Sequence, residues 1–245
     1  MKNLIFMTTF FKKEYGDMSL LLLQSIKTYY NNNSFVLYIF VDKFTSDIIQ
    51  TYINNNNKDI KFEIKLIQCN ITSVVIASAF RMLIFDYIEH NKYNKILYLD
   101  TDILINESLD LVFAIDIDNK VHAVKESGHI PYHCLYHTKE EFEKFKTNDC
   151  FSTGILLFDN TLKEYIENVK NYFLNGIKTG IQIGCCIDQP FFNLIAHRMN
   201  CINNTQISKY TKCNATEITT QLLTHFAGNV GDHESKLSKM NSFII

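Results

Sequence analysis

Short apolar segments alternate with longer amphipathic segments through the first hundred residues, and this alternation limits the class of fold. The apolar runs have the length of strands and lie at 3–10, 34–42, 60–67 and 95–99. Helical spacing of apolar residues predicts helices between them, at 17–30, 45–56 and 73–91. Strands that alternate with helices form parallel sheets covered on both faces. The sequence therefore predicts an α/β fold with a mostly parallel central sheet flanked by helices.

The second half of the chain is less regular but carries the same two kinds of element. Strands are predicted at 120–126 and 150–159, and helices at 161–176 and 188–200. Gly176 is the predicted end of the first of these helices, and Pro190 lies in the first turn of the second. A strand or loop at 221–228 precedes a polar tail. At 245 residues the chain is long enough for one well-buried domain.

Charge, cysteine content and hydropathy exclude several classes of protein. With 24 Lys and Arg against 26 Asp and Glu, the chain lacks the basic excess typical of nucleic-acid binding. No apolar run approaches the ~20 residues of a membrane span. The seven scattered cysteines form no disulfide pattern, which favours free thiols. We expect a soluble, intracellular and cytoplasmic protein without nucleic-acid partners.

Two aspartates follow the fourth apolar run directly, in the stretch KILYLDTDIL. Asp100 and Asp102 flank Thr101, and residues two apart in an extended chain point to the same side. Converging carboxylates repel each other unless a cation or a proton lies between them. Ligands of parallel sheets bind beyond the carboxyl ends of the strands, where this pair falls.

Three interpretations of the aspartate pair remain open. A calcium loop of the EF-hand type fits poorly, because Leu104 and Ile105 stand where an oxygen donor and a glycine are needed. The acids could also be hydrated, or could cap the next segment. The third interpretation is a divalent-metal site for a substrate diphosphate, since Mg²⁺ and Mn²⁺ prefer oxygen ligands. The position at a strand end favours this third interpretation.

Four motifs in order resemble glycosyltransferases that use nucleotide sugars. The block FRMLIFDYIEHNKYNKILYLDTDILINESLDLVF resembles the centre of the GT-A fold of glycosyltransferase family 8, the glycogenin and lipooligosaccharide galactosyltransferase group. FSTGILLFD, DQPFFN and HFAG resemble three later motifs of that family. The resemblance implies one GT-A domain over 1–245. Its parts are a nucleotide-binding half at 1–105, an acceptor and sugar half at 106–230, and a polar tail at 231–245.

The resemblance also implies roles for individual residues. Asp100, Asp102 and His225 would bind Mn²⁺ or Mg²⁺, and Asp188, Gln189 and Arg81 would serve catalysis beside the donor sugar. The donor, which is usually a UDP-sugar in this family, would contact Thr9, Tyr15, Arg81, Asp100, Thr101, Asp102, Ser152 and Gly228. By the same resemblance, Thr9 would hold the nucleoside and Tyr15 would stack on the base.

Other interpretations of these residues stay open. Arg81 could extend to solvent from an amphipathic helix, His225 could be a core histidine, and Asp188 could be the N-cap of its helix. Ser152 stands where the family has Asn, and Gly231 stands where it has a phosphate-binding Lys. Lys236 or Lys239 could supply that charge from the tail.

A cluster of nitrogen and sulfur side chains lies in HIPYHCLYH. His129, His133, Cys134 and His137 are zinc-ligand types, and their spacing would place them on one helix face. Pro131 disfavours a continuous helix there, and a second pair of ligands is missing. The favoured interpretation is a loop beside the acceptor site.

The expected activity is metal-dependent transfer of a hexose from a UDP-sugar to a glycan or protein acceptor, with retention of anomeric configuration. A catalytically silent sugar-nucleotide or glycan binder is one alternative. An inverting GT-A enzyme with Asp149 or Asp188 as base is another. A nucleotidyltransferase ranks lower, because TTFFKKEYGD lacks a glycine-rich loop.

Overall fold

The computed structural model describes residues 1–129, 135, 138–181, 186–216, 219–227 and 232–243. The strands in these residues are β1 (Lys2–Thr9), β2 (Phe35–Val41), β3 (Glu63–Gln68), β4 (Tyr93–Leu99), β5 (Ile103–Ile105), β6 (Val121–His129), β7 (Asp149–Phe158), β8 (Ile202–Asn203), β9 (Thr211–Cys213) and β10 (Leu223–His225). Seven of them form a mixed sheet in the order β3-β2-β1-β4-β7-β6-β8. The pairs among β1, β2, β3 and β4 are parallel, whereas β7 is antiparallel to β4 and β6. The predicted mostly parallel α/β fold is confirmed.

Helices flank this sheet. They are α1 (Lys13–Tyr29), α2 (Lys43–Asn56), α3 (Val74–Ser78), α4 (Ile84–Tyr87), α5 (Asp110–Phe113), α6 (Lys139–Phe145), α7 (Lys163–Thr179), α8 (Gln189–Met199) and α9 (His233–Phe243). Helices α1 and α2 pack against each other, as do α7 and α8. In the part of the chain that the structure describes, none of the helices combines the length and apolar character needed to cross a membrane.

The central strands form the core because their apolar runs are buried on both faces. Every residue of β2 is buried, and so are Leu4 to Met7 of β1 and Ile96 to Leu99 of β4. Phe6 of β1 lies opposite Tyr98 of β4, and their ring centroids are 4.9 Å apart. Such burial is the main source of stability, at about 25 cal/mol per Å² of apolar surface.

The pairing of β1 with β4 determines where the aspartate pair lies. Because these strands are parallel neighbours, both end at one edge of the sheet, where Thr9 is the last residue of β1 and Asp100 follows β4. The chain then enters β5, which pairs antiparallel with β10 in a second sheet of order β5-β10-β9. This small sheet brings His225, at the end of β10, to the same edge.

The predicted continuous helix over 73–91 is wrong. The segment divides into α3, a 3₁₀ turn over Phe80–Leu83, α4 and a second 3₁₀ turn over His90–Lys92. The Phe80 ring centroid lies 5.2 Å from those of Phe10 and Phe40, so packing against the ends of β1 and β2 decides the path. Tertiary packing of this kind outweighs local helix propensity.

The predicted helix end at Gly176 is also wrong. Helix α7 continues to Thr179 and is closed by Gly180, whose φ of 74° is left-handed. At Gly176 the packing is tight, because a Cβ would lie 3.1 Å from Ile181 Cδ1 and 3.3 Å from Phe191 Cε1.

The segment predicted as a polar tail contains helix α9. Met240 is fully buried, and Leu237 packs beside it. Their partners include Met18 of α1 and Phe226, in an apolar cluster separate from the main core. Two apolar residues three positions apart are enough to dock the helix, although the segment as a whole is polar.

Replacement of Met240 by Ala tests whether α9 is docked in this way. We expect a loss of about 2 to 5 kcal/mol in the free energy of unfolding, because the substitution leaves a cavity between α9 and α1. Chemical denaturation measures the change. The matched control, Ser238→Ala on the exposed face of the same helix, should change it by no more than about 0.5 kcal/mol. Equal effects of the two substitutions would contradict the docking.

Candidate active site

Three separate parts of the chain meet around the aspartate pair. The backbone N–H of Asp100 donates to the carbonyl of Gly154 in β7, at 2.8 Å. The carbonyl of Asp102 accepts from the N–H of Phe226, which follows β10, at 2.9 Å. These bonds hold the aspartate turn between β7 and the small sheet, so that three of the sequence motifs come together.

Asp100, Asp102 and His225 form a group that could hold a metal ion. Their ligand atoms all lie within 4.8 Å of one another, and His225 Nε2 is 3.2 Å from Asp102 Oδ1. Gly154 leaves the space for this convergence. A Cβ there would overlap the His225 ring, and would lie 2.8 Å from Nε2 and 3.0 Å from Asp100 Oδ2.

The second oxygen of each carboxylate is held by another group. Asp100 Oδ1 accepts from the Tyr98 hydroxyl and lies 3.1 Å from Arg81 Nη1. Asp102 Oδ2 accepts from the ammonium group of Lys236 at 2.7 Å. These contacts fix the carboxylates so that Asp100 Oδ2 and Asp102 Oδ1 face the imidazole.

The histidine is oriented in a similar way. His225 Nδ1 lies 3.8 Å from the sulfur of Cys213, which is its register partner across β9 and β10. This contact leaves Nε2 directed at Asp102. Strand pairing alone creates the contact, because the two residues are twelve positions apart in sequence.

The carboxylates at this site stabilise positively charged groups beside them. Burial by itself would lower the pKa of His225, but the carboxylate of Asp102 more than offsets that effect and raises the pKa to about 10. Burial would raise the pKa of Asp102, but His225 and Lys236 hold it well below its usual range. Two carboxylates and one imidazole suit a hard divalent cation, which would compete with the imidazole proton for Nε2. The residues present therefore fit a Mn²⁺ or Mg²⁺ ion.

Arg81 joins Asp100 to a third carboxylate. Its Nε lies 2.9 Å from Asp188 Oδ2, its guanidinium stacks 4.5 Å from the Tyr98 ring centroid, and Nη1 donates to the carbonyl of Thr153. The side chain is only 10% exposed, so the alternative of an arginine reaching into solvent is wrong.

Asp188 stands at the N-cap position of α8, but its side chain makes no capping hydrogen bond there. Its carboxylate is directed at Arg81 instead. Burial raises the pKa of Asp188 to about 6, with Arg81 opposing the rise and Asp100 adding to it.

Two cavities border the aspartate pair. The first cavity has aromatic and apolar walls and is lined by Thr8, Phe10, Phe11, Tyr15, Val74, Ala77, Ser78, Arg81, Tyr98, Asp100, Thr101, Asp102, His233 and Lys236. The second cavity is more polar and is lined by Asp100, Asp102, Lys125, Glu126, Ser152, Thr153, Gly154, Cys186, Gln189, Cys213, Asn214, His225, Ala227 and Lys236. The aspartate pair and Lys236 border both.

Most of the predicted site residues line these cavities. Tyr15, Arg81, Asp100, Thr101 and Asp102 border the first, and Ser152, Gln189 and His225 border the second. Thr9 and Asp188 border neither. Thr9 is 1% exposed, and its neighbour Thr8 faces the first cavity instead.

The remaining predictions fall outside the described residues. Gly228 belongs to this group, as do His133, Cys134 and His137 of the proposed zinc cluster. The side chain of His129 is likewise not described. The zinc interpretation stays untested.

Sequence reasoning missed several residues of the site. Tyr98 carried a usable signal, since it lies two positions before Asp100 and must share its side of the strand. Gly154 lies in the motif FSTGILLFD, but the sequence offers no reason to assign it a role. Cys213 and His233 carried no signal, because their positions depend on strand pairing and on the docking of α9.

Comparisons with known proteins agree with this geometry. A model of glycosyl transferase family 8 matches residues 6–230, whereas no curated protein matches the chain in sequence. Among solved structures, the galactosyltransferase LgtC in complex with donor and acceptor sugar analogs has 14% identity and a TM-score of 0.61, covering 99% of this chain and 96% of LgtC. Mouse xyloside xylosyltransferase 1 has 10% identity and a TM-score of 0.64, covering 94% and 98%. At these identities the structures show a shared fold.

Replacement of Gly154 by Ala tests the packing of the ligand group. The backbone φ of Gly154 is outside the left-handed region, so the added methyl group acts through its overlap with His225 and its close approach to Asp100. We expect Mn²⁺ affinity to fall at least about tenfold, as for other changes that displace a metal ligand. Titration of the protein with Mn²⁺, followed by electron paramagnetic resonance, measures it. The control Ile155→Val on the same strand should cost about 1 kcal/mol of stability and leave Mn²⁺ affinity unchanged.

Replacement of Arg81 by Met tests the buried ion pair. We expect a loss of about 3 to 5 kcal/mol in the free energy of unfolding, because Asp188 loses its buried partner and must either stay charged or bind a proton. A second substitution, Asp188→Asn, should recover part of that loss by removing the charge. Thermal or chemical unfolding of the single and double variants measures both effects. A double variant less stable than Arg81→Met would contradict the pairing.

Proposed function

The chain belongs to glycosyl transferase family 8, a family of retaining nucleotide-sugar glycosyltransferases, and we propose that it transfers a hexose from a UDP-sugar to a glycan or protein acceptor with the aid of a divalent metal ion. One observation carries the proposal. Asp100, Asp102 and His225 converge at the junction of two cavities, at the carboxyl edge of the sheet. A nucleotide sugar has three parts, the nucleoside, the diphosphate and the sugar, which we match to the first cavity, the junction and the second cavity. Because this family retains the anomeric configuration, we do not propose the alternative of an inverting GT-A enzyme from another family.

The first cavity suits the nucleoside. Tyr15 and Phe11 supply aromatic surface, and Val74 and Ala77 add apolar surface. Aromatic and apolar walls accommodate a flat base by stacking. We assign the base to this cavity, with Thr8 rather than Thr9 at the end of β1 beside it.

The junction suits the diphosphate. Asp100, Asp102 and His225 would hold the metal ion, which when bound supplies positive charge to the leaving diphosphate. Arg81 adds a fixed positive charge at the wall of the first cavity. Asp188 acts through Arg81, because its carboxylate holds the guanidinium and borders neither cavity. These charges are in place before the reaction, which is the arrangement that lowers the barrier for a charged leaving group.

The second cavity suits the transferred sugar and the acceptor. Gln189 Nε2 donates to Glu126 at 2.8 Å, and Gln189 Oε1 accepts from the N–H of Thr153 at 3.4 Å. These bonds fix the Gln189 amide at the cavity wall, where we place it beside the anomeric carbon. Ser152 offers a hydroxyl that can donate to or accept from a sugar hydroxyl. The polar walls favour a hydroxylated ligand over an apolar one.

Replacement of Asp102 by Asn tests the proposal. The substitution keeps the size of the side chain but removes the charge that holds the cation, so we expect metal-dependent turnover to fall at least about a hundredfold. Release of nucleotide from a panel of nucleotide sugars, with Mn²⁺ or with chelator and with mixed acceptor sugars, measures it.

The matched control is Asp116→Asn, an exposed carboxylate that lines neither cavity. It should leave turnover unchanged. Metal-independent turnover, or full activity in Asp102→Asn, would overturn the metal assignment. Nucleotide binding without cleavage of any donor would favour a silent binding protein.

A further inference from the structure

Phe11 lies in the loop between β1 and α1 and has a backbone conformation that is rare for an aromatic residue. Its φ is 67°, in the left-handed region that bulky side chains avoid. The N–H of Lys12 donates to the carbonyl of Phe10 at 2.9 Å, so the chain closes a tight turn around Phe11. A γ-turn of this kind, with a positive φ at its central residue, is rare and strained. The loop therefore holds Phe11 in an unfavourable conformation.

The type of residue makes this conformation unusual within the chain. In the part of the chain that the structure describes, the other non-glycine residues with a positive φ are all Asp or Asn, namely Asp118, Asn119, Asn200 and Asn214. Short polar side chains tolerate the left-handed region, whereas an aromatic ring does not relieve its strain. Strained residues persist where the surrounding structure restrains them, and they cluster at ligand sites. The strain at Phe11 therefore indicates both a restraint and a function.

Helix α2 supplies the restraint. Its N-cap residue, Asp42, accepts from the N–H of Phe11 at 2.6 Å through Oδ2 and from the N–H of Thr45 at 2.8 Å through Oδ1. The hydroxyl of Thr45, which is fully buried, donates to the carbonyl of Thr9 at 2.8 Å. The start of α2 is thus bonded to the loop on both sides of Phe10. One carboxylate joins the cap of the helix to the strained turn.

The two aromatic residues of the turn have different environments. Phe10 is 5% exposed, and its ring centroid lies 5.2 Å from that of Phe80 in the core. Phe11 is 38% exposed and belongs to neither of the apolar clusters that the described residues form. It borders the first cavity instead. The turn thus places one ring in the core and the next ring at the cavity wall, where packing of the fold does not account for it.

We infer that Phe11 stacks on the base of the donor nucleotide, and that Asp42 is a positioning residue that holds the strained turn in the form that presents this ring. The inference rests on the proposed function, which places the base in the first cavity. Phe11 borders the first cavity and not the second, to which the sugar and the acceptor are assigned. An aromatic ring binds the face of a base by stacking. Asp42 lines neither cavity, so it acts on the ligand through the loop.

A merely structural role for these two residues would have different consequences. If Phe11 and Asp42 served the fold alone, their substitution would affect every ligand of the site alike. If they act on the base, their substitution weakens binding of UDP and leaves binding of ribose 5-diphosphate unchanged. That compound keeps the ribose and both phosphates of UDP but lacks the base.

The first experiment compares Phe11→Asn with Phe44→Asn. Asparagine tolerates the left-handed region, so the substitution at Phe11 removes the ring without adding strain. Phe44 is a matched control, because it is an exposed aromatic residue of α2 that lines neither cavity. Calorimetric titration in the presence of Mn²⁺ measures binding of UDP and of ribose 5-diphosphate.

We expect Phe11→Asn to lose about 5- to 150-fold in UDP affinity, the value of one stacked base, and to bind ribose 5-diphosphate like the wild type. Phe44→Asn should stay within a few fold of the wild type for both ligands. Phe11→Tyr keeps an aromatic ring at the cavity wall, so it should also stay within a few fold of the wild type for UDP.

The second experiment is a double-mutant cycle between Asp42 and Phe11. Asp42→Ala alone should lower UDP affinity at least about threefold, because the turn loses its restraint. In the Phe11→Asn background the same substitution should change UDP affinity by less than about twofold, because the ring that Asp42 positions is absent. Unfolding curves confirm that each variant is folded, since Asp42→Ala also removes the cap of α2. Equal losses in the two backgrounds would contradict the positioning role.

Three further results would overturn the inference. They are unchanged UDP affinity in Phe11→Asn, an equal loss in Phe44→Asn, or a loss of affinity for ribose 5-diphosphate as large as that for UDP. Each of these leaves the proposed function intact, provided that the wild type binds UDP. A wild type that binds neither UDP nor ribose 5-diphosphate overturns the proposed function together with the inference.

Discussion

Repulsion between the carboxylates of Asp100 and Asp102 is the interaction on which the rest of the site depends. Two converging acids in a half-buried cleft are stabilised when positive charge lies beside them. The structure supplies it from three distant places, with Arg81 before β4, His225 at the end of β10 and Lys236 on α9. The aspartate pair thereby joins the middle of the chain to its C-terminal part.

These charges form a connected network whose members depend on each other. Arg81 lies between Asp100 and Asp188, and Asp102 lies between His225 and Lys236. Buried ion pairs of this kind contribute little net stability, since desolvation offsets their attraction. They do favour one arrangement of side chains over others. Under the proposed function the site receives a diphosphate and a metal ion, and the network orients the charges for them beforehand.

Sequence reasoning succeeded where the signal was local. Apolar runs predicted the strands, and a period of two predicted that Asp100 and Asp102 face the same way. It failed where packing between distant segments decided the outcome. The helix predicted over 73–91 is broken by the packing of Phe80, and the polar tail is a helix because Met240 enters a separate apolar cluster. A single apolar residue in a polar segment does not predict burial, because the surface against which it packs is not known from the sequence.

The sequence by itself determined the main strands β1 to β4, β6 and β7, the class of fold and the identity of the acids at the end of β4. These features could be predicted because hydrophobic periodicity and the position of a residue at the end of a strand depend only on residues nearby in the sequence. Only the tertiary structure decided that Cys213 holds His225, that Gly154 leaves room for it, and that Lys236 reaches Asp102 from 134 residues away. Those contacts follow from the pairing of β9 with β10, the closeness of β7 and the docking of α9. Each contact joins residues that are far apart in the chain, and the local sequence does not specify which surfaces pack together.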